Sequence, residues 1–181
     1  MNTKKRLLST STVFIGIDNG PSGSIGILEY NERGMRTNVY FCETPTYMVQ
    51  DYTKAKKRIS QLDIRKVRTL FKKYRDGWKV HIAMERPLVN PTRFTATVVG
   101  CRVHQSYLDI LTWLKLPYPV FIDSKAWQKM FLPKGTVGTD LKVRSKEFGI
   151  RAYPEFTDVF RKHKDADGIF IAEWLKKQVM L

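Results

Sequence analysis

Between Thr12 and Cys42 the chain has three short apolar segments separated by two tight turns. The first segment, Thr12–Asp18, reads T-V-F-I-G-I-D and is rich in β-branched residues, as buried strands are. Residues 19–23, N-G-P-S-G, are all residues that favour turns, and a second strand is predicted over Ser24–Tyr30. Because short connections join antiparallel neighbours, this stretch predicts a β-meander with a third strand over Thr37–Cys42.

After the meander the pattern alternates between helices and strands. This order predicts an α/β fold, in which a mixed sheet of three antiparallel strands followed by parallel strands carries helices on both faces. No repeat or linker divides the chain, so we expect a flexible tail at residues 1–11 and a single domain at residues 12–181. The predicted elements are a helix over Ser60–Arg75, a strand over Trp78–Glu85, a helix within Thr92–Leu116, a strand over Tyr118–Ile122, and helices over about 124–130, 140–152 and 165–178.

The 181 residues carry a formal net charge of +15. Such an excess attracts polyanions, and nucleic acid is the leading partner. The chain has only two cysteines, Cys42 and Cys101, which argues against a disulfide scaffold or a cysteine zinc site. No apolar run approaches the roughly 18 residues that span a bilayer, and polar residues interrupt any signal-like stretch after the basic N-terminus. We therefore expect an intracellular protein that does not act at a membrane.

Four acidic residues lie where predicted strands end or where the last helix begins. Asp18 ends the first strand, Glu85 ends a later strand, and Asp165 and Asp167 open the last helix. Together these acids predict one carboxylate cluster, because an α/β sheet exposes its site at strand ends. Such a cluster repels itself unless cations fill it, and oxygen ligands suit Mg²⁺ or Mn²⁺. Two such ions about 3.5–4 Å apart can hold the attacking and leaving oxygens of a phosphodiester.

Each acid also has an ordinary structural explanation. Asp18 suits the turn that follows it, and Glu85 suits a surface pair with Arg86. Asp165 suits a helix N-cap, and Asp167 is favoured by the helix dipole. For any single residue the structural and the functional explanation are equally plausible. The placement of all four acids together favours a functional site.

Three stretches carry a resemblance to a known family. Residues 15–27, I-G-I-D-N-G-P-S-G-S-I-G-I, look like the first strand and turn of the RNase H-like superfamily, and Ala83-Met84-Glu85 looks like its second acidic strand. Residues 164–172, K-D-A-D-G-I-F-I-A, resemble the final motif of RuvC-type Holliday junction resolvases. Between them, D-S-K-A-W-Q-K and G-T-D-L-K resemble the middle region of phage-type members. The resemblance extends over about residues 13–175.

The resemblance implies a metal-dependent endonuclease that resolves four-way DNA junctions and leaves 5′-phosphate products. Asp18, Glu85 and Asp167 match metal-binding acids of the family. Two Mg²⁺ ions per site, or Mn²⁺ in their place, are implied as cofactors. Lys142 matches a basic position that the family keeps near its active site, so we include it among the candidate catalytic residues.

One position departs from the family pattern. The family has a further acid or histidine three positions before the last acid, where this chain has Lys164. We expect Asp165 to serve as the fourth metal-binding acid, with His163 as the alternative. Because residues two apart do not share a helix face, Asp165 and Asp167 converge only if Asp165 precedes the regular helix.

The resemblance also implies a homodimer, since a four-way junction presents two symmetry-related strands. The apolar segment Phe94–Leu114 is the predicted dimer helix, with an ordinary core helix as the alternative. Phe94 lies next to a loop where relatives place an aromatic that enters the junction and stacks on bases, and the alternative for it is a core position. For the basic residues the alternative is a solvated face. The residues expected to contact DNA are Arg86, Arg93, Phe94, Lys125, Lys129, Lys134 and Lys142.

Two further functions stay open. A less selective nuclease for flaps or other branched DNA would use the same acids, because selectivity depends on dimer geometry and loops. Lys164 is the feature that favours a protein that binds structured nucleic acid without cutting it.

Overall fold

The computed structural model describes residues 10–51 and 56–180, and the elements named below belong to this part of the chain. The strands are β1 (Ser11–Ile17), β2 (Ser24–Tyr30), β3 (Arg36–Glu43), β4 (Thr46–Gln50), β5 (Arg58–Leu62), β6 (Trp78–Glu85) and β7 (Val120–Ile122). The helices are α1 (Ile64–Lys72), α2 (Phe94–Trp113), α3 (Ser124–Phe131), α4 (Asp140–Ala152), α5 (Thr157–Lys162) and α6 (Asp167–Met180), with 3₁₀ turns at Pro91–Arg93 and Pro154–Phe156.

A five-stranded mixed sheet has the order β3-β2-β1-β6-β7. The pairs β1–β2 and β2–β3 are antiparallel, whereas β6 lies parallel to β1 and β7 parallel to β6. Ile17, the last residue of β1, is paired with Met84, which precedes the last residue of β6. The carboxyl ends of these two strands therefore meet at one edge, and the predicted mixed sheet is confirmed.

Helices cover both faces of this sheet, as predicted. One buried cluster contains Val13, Ile15 and Ile17 of β1 together with residues of α1 and α2, among them Tyr107 of α2. Phe14, which points to the opposite face, packs in a second buried cluster with residues of α3 and α6. The alternation of side chains along β1 thus supplies both halves of the core.

Helix α6 lies against the strands at the distance of backbone contact. A Cβ added to Gly16 of β1 would lie 2.3 Å from the backbone nitrogen of Ala172, and one added to Gly26 of β2 would lie 2.3 Å from the Cα of Ile169. Only glycine fits at both strand positions, because the atoms that would be struck are backbone. This contact places the first turn of α6 beside the end of β1.

The connection between β3 and α1 differs from the sequence prediction. Residues 46–50 and 58–62 form an antiparallel hairpin, β4–β5, in which Thr46 is paired with Leu62. The predicted helix over Ser60–Arg75 is therefore wrong at its start, since α1 begins at Ile64. The physical cause is a cap: the carboxylate of Asp63 accepts a hydrogen bond from the Lys66 amide at 3.1 Å.

Two smaller differences concern the C-terminal half. The last helix begins at Asp167 rather than at Asp165, so Asp165 stands in the segment before it. Helix α5, Thr157–Lys162, was not predicted at all; six residues are too short for a periodic pattern to emerge.

Of the predicted tail, residues 1–9 lie outside the described residues, and Ser11 is already the first residue of β1. Within the described ranges, no helix is both long and apolar enough to cross a membrane.

Candidate active site

Three aspartates meet at the edge where β1 and β6 end. One carboxylate oxygen from each of Asp18, Asp165 and Asp167 lies within 4.8 Å of the others. Asp18 directly follows β1, and its amide donates a hydrogen bond to the Ser24 carbonyl at 2.9 Å. Asp165 precedes α6 and Asp167 begins it, so the change from extended to helical backbone lets two carboxylates two residues apart converge. The geometry meets the condition set for Asp165 in the sequence analysis.

Helix α6 is anchored at the site by more than its glycine contacts. The amide of Gly168, in the first turn, donates a hydrogen bond to the Ser24 hydroxyl at 3.0 Å. Ser24 is fully buried and begins β2. Ser24 therefore accepts a hydrogen bond from the amide of Asp18 and another from the amide that follows Asp167, which fixes the spacing of the two acids.

The fourth predicted acid, Glu85, is not part of the three-aspartate group. It is the last residue of β6, and its carboxylate accepts a hydrogen bond from the indole N–H of Trp127 on α3. Burial raises the pKa of Glu85, and the nearby Asp165 raises it further. Glu85 thus lies within electrostatic reach of the group. Arg86, considered above as its surface partner, instead forms an ion pair with Asp123 at 3.3 Å.

Two lysines reach the same oxygen of Asp165. The ammonium of Lys142, in the first turn of α4, lies 3.3 Å from Asp165 Oδ2, and that of Lys164 lies 3.7 Å from it. Lys164 also donates a hydrogen bond to the Ser22 hydroxyl at 3.0 Å. Lys142 was predicted at the site, and Lys164 occupies the position at which the chain departs from the family pattern.

His163 stands behind Asp165. Its Nε2 lies 3.4 Å from Asp165 Oδ1, and its Nδ1 lies 3.4 Å from a carboxylate oxygen of Glu43. Of the two residues weighed as the fourth ligand, Asp165 is the one whose carboxylate joins the other aspartates. His163 contacts Asp165 from its other side.

The pKa values of the three aspartates diverge. Burial raises the pKa of Asp18 well above its usual range, and the neighbouring Asp167 carboxylate adds to the effect. Burial and the repulsion from Asp165 raise the pKa of Asp167 to about 7. For Asp165, burial acts in the same direction, but His163, Lys164 and Lys142 outweigh it and lower the pKa. Added positive charge at the site would therefore favour the ionised forms of Asp18 and Asp167.

Ser145 and Trp127 support the acids, and neither was a predicted site residue. The Ser145 hydroxyl, fully buried on α4, donates to Asp167 and accepts from the Ala166 amide at 3.2 Å. Ser145 follows Lys142 by three residues, so both lie on one face of α4. That spacing was a usable signal once Lys142 had been selected, whereas nothing in the sequence linked Trp127 to Glu85.

The arrangement fits a hard divalent cation. Three carboxylates within reach of one point supply the oxygen ligands that Mg²⁺ and Mn²⁺ prefer. The carboxamide of Asn19, the residue after Asp18, has its buried Oδ1 and Nδ2 without a hydrogen-bond partner among the described residues. An orphaned pair of this kind next to a carboxylate is suited to a bound ion, its water or a phosphate.

Three of the predicted DNA-contacting residues share one groove of the surface. Lys125, Lys129 and Lys134 line one groove of about 540 Å³ beside the loop of residues 132–138, together with Leu141, the neighbour of Lys142. Arg86 and Arg93 are exposed. Phe94 is 73% exposed at the start of α2, so its alternative as a core residue is wrong. The loop before it also exposes the apolar side chains of Leu88 and Val89.

This chain is similar to known proteins in its three-dimensional structure. No protein-family model matches the chain. No curated protein sequence matches it either. A structure of Thermus thermophilus RuvC is 12% identical, with a TM-score of 0.51, and the match covers 92% of this chain and 96% of that chain. The chain has a RuvC-like RNase H fold. A second structure, T. thermophilus RuvC in complex with a Holliday junction substrate, is 10% identical with a TM-score of 0.49, covering 94% of this chain and 96% of that chain.

Proposed function

We propose that this chain is a metal-dependent endonuclease that cuts four-way DNA junctions by paired phosphodiester hydrolysis. The observation that carries the proposal is the group of Asp18, Asp165 and Asp167, whose oxygens lie within 4.8 Å at the strand edge of a RuvC-like sheet. The net charge of +15 supports a polyanionic substrate. The resemblance of the three acidic motifs to those of RuvC-type resolvases supports the junction as that substrate.

In this proposal the three aspartates bind Mg²⁺ or Mn²⁺, with Glu85 as an additional ligand or water-binding group. The bound metal would supply Lewis-acid stabilisation and lower the pKa of an attacking water. Ser145 holds Asp167 by its hydrogen bond, and Trp127 holds Glu85. Both acids would thus keep their orientation while the substrate enters.

The cations near the acids would act on the phosphodiester. Lys142 is half-exposed beside Asp165, so its ammonium can face both the carboxylate and an incoming phosphate. There it would stabilise the charge that develops on the phosphate oxygens. Cleavage in this scheme leaves a 5′-phosphate and a 3′-hydroxyl.

The surrounding surface would hold the junction arms. Lys125, Lys129 and Lys134 follow one groove and would track a phosphate backbone. Arg86 and Arg93 flank the loop that ends at Phe94, and the exposed ring of Phe94 would stack on bases unpaired at the branch point.

We also propose that the active form is a homodimer working on DNA inside the cell, and that the chain belongs to the phage-type group. Val103, Tyr107 and Ile110 of α2 are buried within the chain, so the middle of this helix serves the core. The exposed side chains of this helix are the ones that would be available to a partner subunit. Sedimentation equilibrium at micromolar concentration tests the dimer, and a monomeric mass would contradict it.

A labelled four-way junction, compared with a linear duplex of the same sequences, tests the function. Each substrate is incubated with Mg²⁺ and the wild-type protein, the Asp18→Asn variant or the Asp158→Asn variant, a matched control at an exposed helix position. We expect paired symmetric nicks near the branch point of the junction alone. Asp18→Asn should abolish them and keep junction binding, whereas Asp158→Asn should change neither.

Other outcomes separate the alternatives. Cleavage of flaps, forks and duplex as well as junctions, lost in Asp18→Asn, would indicate a nuclease of broader choice. Tight junction binding with no cleavage in Mg²⁺ or Mn²⁺ would indicate a binding protein and contradict the proposal.

A further inference from the structure

Lys164 is built into the acidic site rather than left in solvent. Its side chain is 34% exposed, and its ammonium lies 3.7 Å from Asp165 Oδ2. The hydrogen bond to Ser22, at 3.0 Å, ties it to the turn that follows β1 and Asp18. Burial and the neighbouring Lys142 lower the pKa of Lys164, whereas the carboxylates of Asp18 and Asp165 act in the opposite direction and stabilise its charge. Lys164 therefore joins the segment that carries Asp165 to the turn that follows Asp18.

The charges of the site leave room for one divalent ion. Asp18, Glu85, Asp165 and Asp167 carry four negative charges when all are ionised, and one oxygen of each of the three aspartates lies within 4.8 Å of the others. The ammonium groups of Lys142 and Lys164 offset two of these charges. The remaining two negative charges are balanced by a single Mg²⁺ or Mn²⁺.

A second ion would meet repulsion from the two ammonium groups already at the site. In two-metal sites the ions lie about 3.5–4 Å apart and share a carboxylate. Here Asp165 Oδ2, at the centre of the site, has ammonium groups at 3.3 and 3.7 Å. The carboxylate of Glu85 accepts a hydrogen bond from Trp127 at one oxygen, so Glu85 offers its other oxygen to a cation. A second cation bound to Asp165 would lie against the Lys164 ammonium.

We propose that the Lys164 ammonium takes the place of a second metal ion, so that each chain binds one divalent cation. The inference rests on the proposed metal-dependent function and replaces the two ions per site that the family resemblance implies. Lys164 is then the charge-compensating group of the site, at a position where a substrate phosphate and Asp165 can share its charge. This assigns a role to the residue at which the chain departs from the family pattern.

Metal-binding stoichiometry tests this inference without any reaction. The probe is Mn²⁺ alone, titrated into the full chain at pH 7.5, with free Mn²⁺ followed by electron paramagnetic resonance and heat followed by calorimetry. We expect one Mn²⁺ per wild-type chain and two per Lys164→Asp chain, since that variant removes the ammonium and adds a ligand. The control Lys162→Asp, an equal charge change at an exposed position two residues away, should bind one.

A second variant guards against a folding defect in Lys164→Asp. Lys164→Gln removes the charge but adds no acid, and we expect it to bind its first Mn²⁺ about tenfold more tightly than the wild type because a nearby positive charge is lost. Circular dichroism checks that each variant is folded.

The outcomes distinguish the inference from the proposed function. Two ions per wild-type chain would overturn the role of Lys164 and leave a metal-dependent nuclease in place. No Mn²⁺ bound to the wild type would overturn the metal dependence itself. One ion in both the wild type and a folded Lys164→Asp, or equal affinities for the wild type and Lys164→Gln, would show that Lys164 does not exclude the second ion.

Discussion

At the scale of single residues, the fold makes two acids of the site harder to ionise than they are in water. Burial raises the pKa of Asp18 and of Asp167, the latter to about 7, because both are removed from water next to other carboxylates. In the unfolded chain an aspartate titrates near 3.8. Between these pH values Asp167 binds more protons in the folded state than in the unfolded state, so its contribution to the stability of the metal-free protein falls as pH rises.

Asp167→Asn should therefore stabilise the metal-free protein at high pH. At pH 8 we expect its melting temperature to exceed that of the wild type by about 5 °C, since the cost of ionising the buried group is removed. The gain should shrink toward pH 4, where Asp167 is protonated in the folded state and becomes partly protonated in the unfolded chain as well. Melting curves in EDTA from pH 4 to 8 measure this. Asp158→Asn, on an exposed side chain, is the control, and a gain for Asp167→Asn independent of pH would contradict the explanation.

Ser145 acts on the metal through Asp167. Ser145→Ala removes the hydroxyl that donates to Asp167 and leaves the Ala166 amide without its partner. We expect Mn²⁺ to bind about 10- to 100-fold more weakly, as is usual when a group that orients a ligand is lost. Calorimetric titration gives the affinity. Ser106→Ala on α2 should bind Mn²⁺ as the wild type does, and an unchanged affinity in Ser145→Ala would remove Ser145 from the site.

At the scale of elements, the position of α6 decides where the site forms. The helix lies on Gly16 and Gly26, whose missing side chains let its backbone approach the strands. A helix held farther from the sheet would carry Asp167 away from Asp18, so the close approach of α6 is what assembles the group of aspartates.

Gly26→Ala should push α6 from the sheet. The added Cβ would lie 2.3 Å from the Ile169 Cα. We therefore expect the free energy of unfolding to fall by about 2–4 kcal/mol. Gly100→Ala is the matched control: nothing lies within 4 Å of that position in α2, so the helix should gain about 0.5–1 kcal/mol. Urea denaturation of both variants measures the difference. Equal stabilities would mean that the sheet adjusts without cost.

The elements that sequence patterns predicted best are those with one strong signal each. Strands β1 and β2 follow from β-branched runs bounded by turns, and the core of α2 follows from its apolar spacing. The hairpin β4–β5 escaped prediction because Leu62 continues the helical pattern of Val67 and Phe71. The hydrogen bond from the Lys66 amide to the Asp63 carboxylate fixes the start of α1 after Leu62. Such a local cap does not appear in a pattern of apolar spacing.

At the scale of the whole molecule, DNA binding should depend steeply on salt. Each phosphate contact releases counterions, so the slope of log affinity against log salt counts the contacts. Replacing Lys125, Lys129 and Lys134 by alanine should lower that slope by about 3 for a four-way junction in EDTA. Replacing Lys57, Lys72 and Lys79, which are exposed but do not line this groove, should lower the slope by less than about 1. Equal losses for the two sets would contradict a defined groove.

The site could be predicted in part because several acids lie where a predicted strand ends or where the last helix begins. Asp18, Asp165 and Asp167 are predicted on that ground, and the fold brings them together. The contact of Trp127 with Glu85 joins residues 42 positions apart, so it depends on how α3 packs and not on any local pattern. The role of Lys164 was equally hidden, since a lysine in a sequence gives no sign of which carboxylate it will meet.

The glycine contact of α6 has a consequence for how the molecule opens. The amides of Ile169 and Phe170 hydrogen-bond to the Ala166 carbonyl between the site and the buried strands. A segment wedged this closely has no low-energy way to open alone, so these amides should exchange with deuterium as slowly as those at the centre of β1. A folded molecule would then always hold an assembled site, and an ion that binds there would stabilise the whole domain.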